Sequence, residues 1–235
     1  MLIVGLVAGT LSGIVGFGAS IMLMPVLVIA FGPLQAVPIM AVASVLANFS
    51  RMLVWWREIR WRYALAFAIT ATPCAALGAR TLLALPPRVI DIALGAFFIA
   101  MVPIRRYLAS REYEVRAWHL AVAGALIGYV TGIVVSTGPI SVPIFLATGL
   151  VKGAFLATEA TASLAMYLSK AVVFRAFGAL PLEVAIKGVA AGASLMTGSF
   201  LAKRFVLSMS AERFHVLMDL IMIAAGATML VTAFT

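Results

Sequence analysis

The chain has 235 residues, of which 64% are hydrophobic and 11% are charged, and its formal net charge is +9. A soluble domain is about 45–50% apolar and about 25% charged, so this composition excludes a soluble globular protein and indicates a polytopic membrane protein. The basic residues lie at the ends of apolar runs, as the positive-inside rule predicts. They form no stripe with interleaved aromatic residues, which excludes a nucleic-acid partner and leaves membrane lipid as the expected surroundings.

The predicted elements are apolar runs separated by short polar breaks. Each half of the chain begins with a Gly-broken segment, and three spans of about 20 residues, the length that crosses a bilayer, follow it. A basic stretch at 107–116 joins the halves and is predicted to be a cytoplasmic linker. In chain order, the predicted boundaries are 2–31 (broken), 36–56, 62–84, 88–106, 117–150 (broken), 154–175, 182–203 and 212–233.

The two halves, 1–106 and 117–235, align with each other and predict two membrane repeats. The expected fold is therefore all-α, with a broken segment and three transmembrane helices in each half. If each broken segment is re-entrant, each half crosses the membrane three times and the halves are inverted. This topology places more of the Arg and Lys residues on one side of the membrane than the topology in which each broken segment crosses once. We therefore favour the inverted repeat. The aligned residues at a shift of 119 are Ser44, Ser50 and Arg51 with Ser163, Ser169 and Lys170.

The broken segments run from Ala8 to Leu27 and from Ala123 to Leu146. A helix break in a membrane is tolerated only where protein or a wet cavity surrounds it, and paired breaks in repeated halves point to the substrate site of a secondary transporter. A helix begins after each break, with Ser or Thr suited to cap it, and a helix N-terminus attracts anions. The residues expected to bind substrate at the breaks are Gly16, Gly18, Ala19, Ser20, Thr137, Gly138 and Ser141.

Two basic residues occupy equivalent positions inside apolar spans, one in each half. Intramembrane cations are costly and face a partner or a wet cavity, so the pair predicts an anion site; the alternative is that each side chain snorkels to the membrane surface. Each belongs to a polar stripe at helical spacing. The stripes, all predicted to bind substrate, are Ser44, Asn48 and Arg51 in the first half and Ser163, Tyr167 and Lys170 in the second.

Three further ionisable residues inside spans, Glu159, His215 and Asp219, are candidates for proton coupling. A buried carboxylate is able to carry a proton during transport. Either proton antiport or the membrane potential alone would then supply the driving force. The alternatives are a position near the water interface or an ion pair with a nearby cation. The cations considered as partners are Lys170, Lys187 and Arg213.

The breaks share a pattern, G-x-x-S-G-x-x-G-x-G followed by a proline, with a looser second copy. Over essentially the whole chain the sequence resembles the sulfite exporter TauE/SafE family of membrane proteins. That resemblance implies export of a small sulfur oxyanion, sulfite or an organosulfonate. The pattern residues are Gly9, Ser12, Gly13, Gly16, Gly18 and Pro25 in the first copy, and Gly124, Gly128, Gly132, Thr137, Gly138 and Pro143 in the second.

The broken segments and the polar stripes predict a multi-pass secondary transporter that works by alternating access. The resemblance implies that it exports a small sulfur-containing oxyanion across the bacterial inner membrane. The alternatives are a passive anion channel or a transporter of a different small organic anion. The sequence has no motif for hydrolase, metalloprotease or ATP-binding chemistry, so we expect no enzyme activity, catalytic residue, cofactor or metal. The small-residue face at 188–192 permits helix association and hence a homo-oligomer.

Overall fold

The computed structural model describes residues 2–15, 19–109, 115–134, 137–150 and 152–205, together with single helical residues at 223, 227 and 231. The regular structure within these ranges is helical, as predicted. A short 3₁₀ turn, Trp56–Glu58, follows the third helix. The α-helices are α1 (Leu2–Val15), α2 (Ala19–Phe31), α3 (Pro33–Val54), α4 (Trp61–Leu83), α5 (Pro87–Ala109), α6 (Ala117–Ile133), α7 (Gly138–Leu146), α8 (Lys152–Ala176) and α9 (Leu182–Phe205).

Each predicted broken segment consists of two helices. Helix α2 has 13 residues and α7 has 9, so at 1.5 Å per residue they are about 20 and about 14 Å long. The hydrocarbon core is about 30 Å thick, so neither helix crosses it alone; re-entrant geometry stays a prediction. Helix α5 continues to Ala109, so the linker predicted to begin at 107 begins inside a helix. The predicted span 212–233 lies outside the continuously described ranges.

Equivalent glycines reverse the chain after each short helix. Gly32 precedes α3 with a φ of 72°, and Gly149 lies between α7 and α8 with a φ of 81°. A side chain is strongly disfavoured in this left-handed region, and glycine is not. Pro33 then opens α3, where a missing N–H costs no hydrogen bond. Both reversals bring a short helix back alongside the long helix that follows it, which places the start of the short helix near the middle of the long one.

The contacts between the helices are symmetric with respect to the two halves of the chain. Helices α3 and α8 contact each other; α3 also packs on α9, and α8 packs on α4. Likewise α1 packs on α9, and α6 packs on α4. Exchanging the halves, so that α1 becomes α6, α3 becomes α8 and α4 becomes α9, leaves this pattern unchanged. Each of these five pairs joins a helix of the first half to a helix of the second. The relative orientation of the halves in the membrane stays a prediction.

Glycines allow the closest of these helix contacts. Gly9 of α1 lies against the backbone of Leu195 in α9, and Gly128 of α6 lies against the backbone of Ala71 in α4. A Cβ at either glycine would be 2.7 Å from the Cα of its partner. Small residues let membrane helices approach this closely and pack. These two glycines of the repeated pattern therefore serve helix packing and not ligand contact.

The small-residue face of α9 is occupied within the chain. A Cβ at Gly188 would lie 2.6 Å from the Val42 side chain of α3, and one at Gly192 would lie 2.6 Å from the Leu46 side chain. The helix association that this face permits therefore occurs within the chain, and a homo-oligomer stays a prediction. The small residues of this face let α9 pack closely on α3.

Two helices in the described part of the chain, Leu34–Val54 and Trp61–Leu83, are long and apolar enough to cross a membrane. The outer face of α4 is strongly apolar and exposed: Leu65 is 51% exposed and Ile69 is 70% exposed. Exposed apolar faces of this kind are typical of a surface that contacts lipid or another protein.

Candidate anion-binding site

A cavity of about 30 Å³ lies between helices of both halves, where the starts of α2 and α7 meet the middles of α3 and α8. A water molecule needs roughly 10–15 Å³ on this measure, so the cavity holds only a few heavy atoms. The described residues that line it are Ser12, Ala19, Ser20, Ser44, Ala47, Asn48, Arg51, Thr137, Gly138, Ser141, Glu159, Ser163, Met166 and Tyr167.

The cavity collects most of the residues that the sequence nominated for substrate binding. Of the thirteen nominated residues, ten line it; Gly16 and Gly18 lie outside the described residues, and Lys170 is not in the lining. The two predicted helix starts, the first polar stripe and two of the three residues of the second stripe therefore meet at one place. Their role in binding stays a prediction. The ten are Ala19, Ser20, Ser44, Asn48, Arg51, Thr137, Gly138, Ser141, Ser163 and Tyr167.

Arg51 supplies the positive charge of the cavity and is only 6% exposed. A terminal guanidinium nitrogen donates to the side-chain oxygen of Asn48, one turn earlier on α3. Asn48 in turn donates from its amide nitrogen to the backbone oxygen of Ser44 at 2.7 Å. The stripe predicted from the helical spacing thus forms a connected set, in which Asn48 fixes the direction of the guanidinium.

Glu159 of α8 faces Arg51 across the cavity. Its Oε2 lies 3.3 Å from a guanidinium nitrogen of Arg51, and its Oε1 accepts hydrogen bonds from Ser163 at 2.8 Å and Ser141 at 3.4 Å. The carboxylate is 3% exposed, so it is shielded from solvent by the surrounding helices. The ion pair joins the two halves of the chain.

The partners that the sequence suggested for Glu159 differ from the observed one. Lys187 pairs instead with Glu183 at 2.6 Å, and Lys170 has other contacts. The predictions that Glu159 pairs with Lys187 or with Lys170 are therefore wrong. Arg213 lies outside the described residues. The sequence did carry a signal that places Glu159 in the cavity. Glu159, Ser163 and Tyr167 recur every four residues and therefore share one face of α8.

Lys170 has a different environment from its counterpart Arg51. Its Nζ donates to the backbone oxygens of Thr131 at 2.6 Å and Val134 at 3.1 Å, and it lies 5.6 Å from the centre of the Phe174 ring. The residue is 1% exposed, which excludes snorkelling to the membrane surface. The ammonium therefore satisfies carbonyl groups at the C-terminal end of α6, where the helix dipole favours a cation.

The break between α6 and α7 is held by two threonines. Thr131 donates its hydroxyl to the backbone oxygen of Ile127 at 2.6 Å. Its hydrogen bond with the Thr137 hydroxyl must then be donated by Thr137, because a hydroxyl has one proton to give. Thr137 makes no side-chain cap to α7, so the predicted capping role is wrong for it. The hydroxyl instead ties the start of α7 to the end of α6 that Lys170 contacts.

His215 and Asp219, the other proton-coupling candidates, lie outside the described residues. Sequence reasoning did not nominate Ser12, Ala47 and Met166, which also line the cavity. Ser12 belongs to the first copy of the Gly-rich pattern. Ala47 and Met166 each lie three residues after a nominated serine on the same helix, so helical spacing was a usable signal for them.

A family model described as "Sulfite exporter TauE/SafE" matches residues 1–229 of the chain. Neither the search of curated proteins nor the search of solved structures found a match. The family match covers nearly the whole sequence, so the chain belongs to the TauE/SafE family and is a membrane protein of a transporter family.

Proposed function

We propose that this member of the TauE/SafE family is a secondary transporter that exports a small sulfur oxyanion, sulfite or an organosulfonate, across the bacterial inner membrane. The observation that carries the proposal is the cavity between the halves, where one buried arginine is surrounded by hydroxyl and amide groups. The substrate enters this cavity and is exposed to each side of the membrane in turn.

The chemistry of the cavity suits an oxyanion. A guanidinium binds two oxygens of such an anion through parallel N–H donors, and Arg51 presents this group to the cavity. The hydroxyl groups of Ser20, Ser44 and Ser141 lie in the same lining and provide further donors. The small volume favours an anion of a few heavy atoms over a large organic anion.

The position of the cavity suits alternating access. Its lining comes from α1, α2 and α3 of the first half and from α7 and α8 of the second. A change in the angle between α3 and α8, which contact each other directly, would open the cavity toward one side while closing it toward the other. The ion pair between Arg51 and Glu159 bridges these same two helices and would hold the empty protein closed.

Flux into proteoliposomes tests the proposal, with sulfite, sulfate, thiosulfate, methanesulfonate and chloride compared. We expect saturable flux of at least one sulfur oxyanion, little chloride flux, and loss of flux in Arg51→Gln. Arg57→Gln is the matched control, because Arg57 is an exposed arginine beside Trp56. Non-saturable flux that includes chloride would identify a channel, and absence of flux for every anion would contradict the proposed substrate class.

A further inference from the structure

The buried carboxylate in the proposed anion site needs an explanation of its own. Glu159 lies 3.3 Å from the guanidinium that the oxyanion is proposed to bind, and both side chains line the same cavity of about 30 Å³. An anion that contacts Arg51 therefore also comes close to Glu159. Two like charges beside one guanidinium in a water-poor cavity repel each other strongly, since the low dielectric enhances the repulsion.

The surroundings of Glu159 offer the displaced carboxylate no second cation among the described residues. Helix α8 packs against α3, α4, α7 and the 3₁₀ turn. Helix α7 has no titratable residue, and the only titratable residue of α3 is Arg51. The titratable residues of α4 and of the 3₁₀ turn do not line the cavity. Lys170 of α8 does not line it either. Tyr167 is the remaining titratable residue in the lining. It is a hydrogen-bonding group and carries no positive charge.

With no second cation among the described residues, a proton is able to relieve the repulsion. We propose that binding of the oxyanion displaces Glu159 from Arg51 and that Glu159 then takes up one proton from water, so that anion and proton bind together. In the empty protein the carboxylate acts as an internal anion and neutralises Arg51. In the loaded protein the oxyanion takes that place and the neutral carboxylic acid keeps its hydrogen bonds with Ser163 and Ser141. This inference rests on the proposed function.

The sign of the coupling follows from this competition. The oxyanion and the proton each favour the binding of the other. The loaded carrier therefore holds the oxyanion and the proton together and releases them on the same side of the membrane. The coupling is therefore symport, the reverse of the antiport considered from the sequence. Export is then driven by the outward gradient of the anion and by the membrane potential acting on a negatively charged complex, and the inward proton gradient opposes it. One proton also reduces the negative charge of the carried complex by one, so a divalent anion moves with one net negative charge and a monovalent anion moves with none.

Anion binding measured as a function of pH tests the inference in the purified protein. Sulfate and methanesulfonate are the ligands, because each keeps a constant charge between about pH 5 and pH 8, so a pH dependence of binding reports on the protein. For the wild type we expect the dissociation constant to rise about tenfold per pH unit, as linkage to one proton requires. For Glu159→Gln we expect a constant value at least as tight as that of the wild type at low pH. Glu183→Gln, which changes an exposed carboxylate, should behave as the wild type does.

Proton uptake gives an independent measurement. Anion is added to the protein in weakly buffered detergent solution containing a pH indicator, and wild type is compared with Glu159→Gln. Any protonation of the anion itself cancels in the difference, so this comparison also works for sulfite. We expect the wild type to take up one more proton per bound anion than the variant does.

Each outcome of these measurements decides a different point. Binding by the wild type without pH dependence would overturn the coupling and leave the proposed function intact. A pH dependence that persists in Glu159→Gln, or loss of binding in that variant when it is folded, would overturn the role of Glu159. If the variant does not fold, the pH profile of the wild type alone still decides whether a proton is bound. Absence of binding for sulfite, sulfate and methanesulfonate at every pH would overturn the proposed function and this inference with it.

Discussion

The ion pair between α3 and α8 makes a quantitative prediction about stability. In Arg51→Gln, the carboxylate of Glu159 keeps its burial, at 3% exposure, and loses the cation that lies 3.3 Å away. Removing one partner of a buried pair costs about 3–5 kcal/mol, because the remaining charge is uncompensated. Two serine hydroxyls still donate to Glu159, so we expect the lower part of that range, about 3 kcal/mol. The double variant Arg51→Gln with Glu159→Gln should be close to the wild type, because it leaves no buried charge.

The measurement is unfolding in mixed detergent micelles, followed by tryptophan fluorescence, for the wild type, both single variants and the double variant. The sum of the two single losses should exceed the loss in the double variant by about 3 kcal/mol or more. The deficit of Arg51→Gln should shrink at lower pH, where a proton neutralises the carboxylate. Arg57→Gln is the control for the loss of an arginine as such. Wild-type stability of Arg51→Gln at neutral pH, or additive losses in the cycle, would refute the reasoning from a buried ion pair.

Three further predictions concern other parts of the molecule. Lys170→Met leaves the carbonyl groups of Thr131 and Val134 without their observed donor. The free energy of unfolding should therefore fall by about 2 kcal/mol in the same unfolding assay. An unchanged free energy of unfolding would mean that other donors replace the ammonium. Gly128→Val places a branched side chain against the backbone of α4, so the melting temperature in detergent should fall by several degrees, and a melting temperature equal to that of the wild type would contradict the close contact. In proteoliposomes, an inside-negative potential should accelerate sulfate efflux and leave methanesulfonate efflux unchanged. The reason is that sulfate with one proton keeps a net charge, whereas methanesulfonate with one proton has none. Equal responses of the two anions would contradict the transport of one proton with each anion.

Much of the site was predictable because helical periodicity decides which residues share a face. Ser44, Asn48 and Arg51 are spaced so that a helix must align them, and the Gly-rich breaks had to lie where a cavity or protein surrounds them. The apolar runs were sufficient to predict that the helices exist. The starts of α3 and α8 fell a few residues earlier than predicted, since Pro33 and the residues after the Gly149 reversal extend the helices.

The partners across helices were not predictable from these patterns. Periodicity says that Glu159 shares a face with Ser163, but only the contact between α3 and α8 brings it to Arg51. Alignment of the halves made Lys170 the equivalent of Arg51, and the structure separates their roles. Duplication preserves the position of a residue on its helix, whereas the direction of a long side chain depends on which polar groups lie within reach. For Lys170 these are the carbonyl groups at the end of α6, including that of Thr131.

The contact between α1 and α9 has a consequence for how the protein is made. Ser199 donates a hydrogen bond to the backbone oxygen of Gly9, 190 residues earlier in the chain. Helix α1 leaves the ribosome long before α9, which carries the surface against which the glycines of α1 pack. The nascent first half must therefore persist in the bilayer with this face covered by lipid or by an assisting protein, and assembly is completed late by contacts between distant parts of the chain. Two separately produced halves should consequently recover the native assembly only when both are present in the same membrane.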